Sequence, residues 1–136
     1  MLYLLILTDT EKSDDEYSED FYIGFYETAA QAAEVAEYYL NNVTGFCDFP
    51  CTYRIIPKKV AGEFKNKSSN QIFFIQGYDL NENLDEINII EDQCYITQAQ
   101  AEAELELLKN KYKRTEWTIS CWTIGQNEWQ EGFCRI

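Results

Sequence analysis

The chain has 136 residues, enough for one core that buries roughly two-thirds of the surface its unfolded form would expose. A hydrophobic fraction of 46% and an aromatic fraction of 15% exclude chain-wide disorder. Twenty-four Asp and Glu against 11 Lys and Arg leave a formal net charge of -13, which repels phosphate backbones and anionic lipid, so no nucleic-acid or membrane partner is expected; the partner such a field favours is a basic protein surface.

The first apolar run, Leu2 to Leu7, is too short to span a bilayer and lacks the positive flank of a signal peptide, so it reads as a buried strand of a cytoplasmic protein. Residues 9 to 20 form a polar, acidic loop, and the apolar and aromatic residues from Phe21 to Tyr26 predict a second strand that closes a hairpin. A helix follows over 29 to 42, with Ala32, Val35, Ala36, Tyr39 and Leu40 on one face at spacings of three and four. Thr28 with Gln31 has the spacing of a capping box, in which a hydroxyl and an amide satisfy backbone N–H groups that have no partner in the first turn. Thr52 to Ile56 predicts a third strand. From Pro57 to Asn70, Pro57, Gly62, Ser68, Ser69 and four lysines give turn and linker chemistry, with the linker proper at 61–70.

The same series then recurs. Ile72 to Ile75 predicts a strand, 79 to 86 a polar loop, Ile87 to Ile96 a strand, and 98 to 112 a helix with Ala101, Leu105, Leu108 and Tyr112 on its core face. Lys109, Lys111, Lys113 and Arg114 at its end suit the negative end of the helix dipole. Glu116 to Ile124 alternates Trp117, Ile119 and Cys121 with Thr118, Ser120 and Trp122, as a strand does. Set against itself at an offset of 69 residues, the chain pairs Ile6 with Ile75, Tyr26 with Tyr95, Thr28 with Thr97, and Ala30, Gln31 and Ala32 with Ala99, Gln100 and Ala101. The expectation is therefore one α+β domain over 1–136 built from two ββαβ repeats, 1–60 and 71–136. They would form a two-layer sandwich: one antiparallel-rich sheet with two helices on one face. The other face would be solvated or a homodimer contact.

The segment Tyr22-Ile23-Gly24-Phe25-Tyr26, then Ala32 and Ala36, then Gly45-Phe46-Cys47-Asp48-Phe49-Pro50 and Tyr53 to Ile55, resembles a small bacterial domain family of unknown function. The Trp-x-Glu-Gly-Phe ending of that family is similar to Trp129-Gln130-Glu131-Gly132-Phe133. The resemblance covers the first unit to about residue 60 and returns at the C-terminus. It implies a bacterial origin and a fold, and no chemistry.

The sequence has no histidine, which removes the commonest general base and the Ser/His and Cys/His nucleophilic pairs, and none of its six glycines forms a phosphate-binding loop. A non-enzymatic protein is expected, with no cofactor. Cys47 and Cys51, four apart, are either two thiols of a proline-ordered turn or half of a zinc site completed by Cys94, Cys121 or Cys134. Asp79, Asn81, Asn83 and Asp85 follow the first positions of a calcium loop, but Leu84 stands where Gly is needed and Ile90 where the bidentate Glu belongs. A calcium-binding or small-ligand module is the alternative to protein binding.

Six acids and one lysine lie between Glu11 and Asp20, with Tyr17 interleaved and Phe21 and Tyr22 following. Charge for steering and aromatics for anchoring make Asp14, Asp15, Glu16, Tyr17, Glu19 and Asp20 a candidate surface for a basic partner, in the manner of an acidic immunity or inhibitor protein; a solvated hairpin loop is the other reading. Trp122 lies on the opposite side of its strand from Trp117, so at most one of them faces a helix; Trp122 and Trp129 complete the candidate contact residues.

Overall fold

The run from Leu2 onward, with β-branched and aromatic residues in the strands beside it, forms the centre of a sheet. A computed structural model describes residues 1–10, 19–61, 70–80, 86–113 and 115–134, with the backbone alone at 19, 79–80 and 86–92. In chain order the elements are β1 (Leu2–Asp9), β2 (Glu19–Tyr26), α1 (Ala29–Asn42), β3 (Cys51–Lys58), β4 (Val60–Ala61), β5 (Gln71–Leu80), β6 (Glu86–Tyr95), α2 (Gln98–Lys111) and β7 (Glu116–Thr123). The mixed, antiparallel-rich α+β class is as expected.

The single sheet is not. The strands form a three-stranded sheet of order β2-β1-β3 and a four-stranded sheet of order β4-β6-β5-β7. Alternation of apolar and polar residues says which way a side chain points and leaves open which strand lies alongside, so two short sheets satisfy the same pattern as one long sheet. The chain accordingly divides into two compact units, one of Met1–Lys58 with Ile124–Ile136, the other of Lys59–Thr123.

In the first unit β1 pairs antiparallel with both neighbours, Leu4 opposite Phe25 on one side and Ile56 on the other. Leu5, Leu7, Phe21, Ile23 and Tyr26 pack with Ala32, Ala36 and Tyr39 of α1, the face expected from its spacing. Leu4, Ile6 and Phe25, which point to the other side of the sheet, are also fully buried. Pro57, read as the start of the linker, instead sits in β3 opposite Tyr3. An edge strand accepts a residue with no N–H. Asp9, read as part of the acidic loop, is the last residue of β1 and fully buried.

In the second unit Ile75, Tyr95 and Ala101 form a smaller core against which Leu105, Leu108, Trp117 and Ile119 pack. Helix α2 opens with a complete capping box: the Gln100 N–H donates to Thr97 Oγ1 and the Thr97 N–H to Gln100 Oε1, each at 3.2 Å. In α1 the Gln31 N–H donates to Thr28 Oγ1 at 3.0 Å.

Strand β4 lies in the stretch read as linker. It pairs in parallel with the end of β6, Val60 opposite Cys94 and Ala61 opposite Tyr95, covering that part of its outer edge. The outer edge of β2 is covered in a related way by the segment after β7: the Gly125 N–H donates to the Phe25 carbonyl and the Glu128 N–H to the Ile23 carbonyl, both at 2.8 Å. Each unit's second strand is thus partly covered by chain that follows the last strand of the other unit, which shortens its exposed row of backbone donors and acceptors. We call residues 124–134 the strap. The sequence placed them in the second unit, 71–136; in the structure they pack on the first.

Candidate functional site

The strap brings together three motifs that lie far apart in the sequence. The first is the turn after α1. The Gly45 N–H donates to Asp48 Oδ2 at 3.0 Å, while the Phe49 N–H returns to the Gly45 carbonyl at 3.0 Å. The Pro50 carbonyl accepts both the N–H and the hydroxyl of Thr10, at 3.0 and 2.7 Å. Gly-Phe-x-Asp-x-Pro is therefore a self-bonded turn, with Phe46 buried beneath it.

The second is the Trp129–Phe133 tail. The Gly132 N–H donates to the Trp129 carbonyl at 2.9 Å and the Phe133 N–H to the Thr44 carbonyl at 3.1 Å. Gly132 has φ 77° and Gly45 φ 86°. A Cβ on Gly132 would lie 1.9 Å from the Thr44 oxygen, and one on Gly45 2.4 Å from the Phe133 oxygen. Only glycine permits both the left-handed backbone and the close approach. The Phe133 ring stacks on Phe21 at 4.7 Å and meets the Phe46 ring edge-on at 4.9 Å.

The third is β2 itself, whose Tyr26 hydroxyl donates to Asn127 Oδ1 at 2.5 Å, while the Tyr39 hydroxyl of α1 donates to the Glu128 carbonyl at 2.7 Å. Burial, helped by the Glu128 carboxylate and the Tyr38 phenol, pushes Tyr39 up to about 12. Burial also raises Tyr26, helped by Tyr39 and Glu128. Partial desolvation and the neighbouring Asp48 carboxylate raise the exposed Cys47 thiol.

Where the strap crosses the last turn of α1 it leaves a groove of about 250 Å³ lined by Tyr38, Tyr39, Val43, Asn127 and Gln130. Tyr38 is 60% exposed and Trp129, next to Gln130 in the chain, is 47% exposed. Trp129 holds φ 59°, a left-handed conformation uncommon for a bulky residue, with its ring edge-on to Phe21 at 4.8 Å. Residues 28–50 and the strap contain Glu34, Glu37, Asp48, Glu128 and Glu131 and no Lys or Arg. Helix α1 likewise has no basic residue in its last turn, whereas α2 has Lys109 and Lys111 there.

Of the contact residues read from sequence, Asp14, Asp15, Glu16 and Tyr17 lie outside the described residues, and Glu19 is described by its backbone in β2. Asp20 is engaged within the unit, accepting from Thr8 Oγ1 at 2.8 Å and Arg54 Nη2 at 3.0 Å. Trp122 is half-buried and donates Nε1–H to Ser120 Oγ at 2.8 Å, while Trp117 is the one that faces α2. Trp129 is exposed, packs edge-on to Phe21 and precedes Gln130, which lines the groove. Sequence reading missed Tyr38 and Asn127, which carry no motif, and Gln130, which fills the open position of Trp-x-Glu-Gly-Phe; they become a site only when the strap is folded onto α1.

Asn81, Asn83 and Asp85 of the calcium-like loop lie outside the described residues, and no three His, Cys, Asp or Glu side chains converge among those described. Among the described residues no helix is long and apolar enough to cross a membrane. The chain matches no family model, and neither the curated proteins nor the solved structures contain a match to it.

Proposed function

We propose that the chain is a non-enzymatic protein-binding module of a bacterial cytoplasm that docks a basic protein, as a small acidic immunity or inhibitor protein would, using the α1–strap face of its first unit. The observation that carries this reading is the pair of exposed aromatics, Tyr38 of α1 and Trp129 of the strap, in segments 28–50 and 124–134 whose sequence holds five acids and no base. Aromatic anchors surrounded by one sign of charge are what a steered interface needs: the rings supply area at low entropy cost and the charge speeds encounter. The left-handed backbone of Trp129 supports it as well, because a large residue is kept in a costly conformation where its ring is placed to serve. We also propose that the two units are diverged copies of one ββαβ module. The matched Thr28 and Thr97 caps support this, as do the shared strand order and the reciprocal partial covering of the β2 and β6 edges. The resemblance to the bacterial family fits one such module, since Gly24, the Gly45–Pro50 turn and the Trp129–Phe133 tail all fall in the first unit.

The test is affinity capture from bacterial extract with the intact chain and with a Tyr38→Ala, Trp129→Ala double variant, each at low and high salt. A basic protein retained by the intact chain, released by salt and lost with the double variant is the expected result. Capture that ignores both salt and the substitutions contradicts it.

A further inference from the structure

The groove has features that specify more than a negative field. Its volume of about 250 Å³ is below the roughly 300–1,000 Å³ of pockets for drug-sized ligands, and above the ~150 Å³ that holds a benzene-sized group. One long side chain fills such a space.

Its walls ask for a particular one. Val43 and Tyr39 form a nearly buried floor, and the Tyr39 hydroxyl is already committed to the Glu128 carbonyl. Tyr38 meets Tyr39 edge-on at 6.3 Å and leaves much of its own ring in solvent, a face on which a planar cation can lie. The two side-chain amides at the groove each offer an acceptor oxygen. Gln130 donates its amide N–H to the Asn127 carbonyl at 3.0 Å, which leaves its Oε1 as an acceptor, and Asn127 Oδ1 has one lone pair taken by Tyr26.

The electrostatics point the same way from two independent sources. The groove lies at the C-terminal end of α1, where the helix dipole is negative and no Lys or Arg compensates it; Asn41 and Asn42 satisfy the Glu37 and Tyr38 carbonyls with neutral amides only. The Glu128 carboxylate is close enough to disfavour ionisation of both Tyr26 and Tyr39.

We propose that this groove receives an arginine side chain of the basic partner, its guanidinium on the exposed Tyr38 ring and its N–H groups on the Asn127 and Gln130 amide oxygens. Arginine suits the site better than lysine because its charge is planar, stacks on rings and directs several donors at once. The inference rests on the docking reading above, and adds to it a residue-level recognition site.

The intact chain titrated with N-acetyl-arginine amide, and followed by the side-chain amide resonances of Asn127 and Gln130, tests it without knowledge of the partner. Saturable shifts are expected, at least about threefold weaker with N-acetyl-lysine amide and absent with the neutral N-acetyl-citrulline amide. Tyr38→Leu and Glu128→Gln should each weaken the arginine amide at least about threefold with an unchanged melting temperature, since both side chains are exposed. Equal response to all three amides, no saturable shift, or indifference to Tyr38→Leu overturns the arginine site. If a captured basic protein still binds the face, and arginine amide neither competes with it nor shifts these resonances, the arginine site fails and the docking reading stands; if neither binds, both fail.

Discussion

The Tyr39 hydroxyl reaches from the last turn of α1 to the Glu128 carbonyl at 2.7 Å, and so ties a helix near the start of the chain to a strap near its end. Tyr39 is 1% exposed, so its oxygen has no water to turn to. Tyr39→Phe leaves the Glu128 carbonyl without that donor, and a loss of about 1–2 kcal/mol is expected by denaturant unfolding, with the Glu128 amide exchanging faster.

The same phenol, together with Tyr26, contributes to the alkaline limit. Its pKa is raised from 10.0 to about 12, so between those values the folded chain holds more protons than the unfolded one. The contribution of Tyr39 to stability is fully present below pH 10 and is lost as pH rises through this window. Unfolding free energy measured from pH 8 upward should decline above about pH 10 in the intact chain and decline less in Tyr39→Phe. A flat profile in the intact chain would contradict the assignment.

Two glycines of the strap separate backbone strain from steric fit. Gly125 has φ 83° with open space around its Cβ position, whereas Gly132, at φ 77°, faces the Thr44 backbone at 1.9 Å. Gly125→Ala should cost about 1 kcal/mol, from the left-handed conformation alone, and Gly132→Ala at least about 2 kcal/mol, because backbone must move as well. Exchange at Gly125 and Glu128, the amides bonded to β2, would report whether the strap has come away.

In the second unit, Thr97→Ala removes the hydroxyl half of the α2 capping box. A loss of about 1 kcal/mol is expected, together with faster amide exchange at Gln100.

What could be read in the sequence divides by range. Both helices and the Thr97–Gln100 cap were legible because their signals lie within a few residues, and the strands because alternation is local. Strand β4 was hidden by its two-residue length among linker-type residues, and Pro57 by the usual rule that proline ends a strand, which an edge position relaxes. The fit of Gly132 against Thr44, the Phe133–Phe21 stack and the Tyr39–Glu128 bond join residues whose proximity no local pattern encodes, so the strap was assigned to the wrong unit and its groove went unseen. Trp129 was singled out as an aromatic in a motif, and its left-handed backbone emerges only with the turn that holds it.

Charge reversal on the proposed docking face tests the central claim most directly. Glu34, Glu37 and Glu131 are exposed, so Glu34→Lys, Glu37→Lys and Glu131→Lys together change the field of the α1–strap face without touching the core. The association rate with the captured basic protein, measured at low salt, should fall by at least about tenfold relative to the intact chain, and the two should converge at high salt. An association rate that is unchanged at low salt, with the melting temperature preserved, would contradict a basic partner on this face.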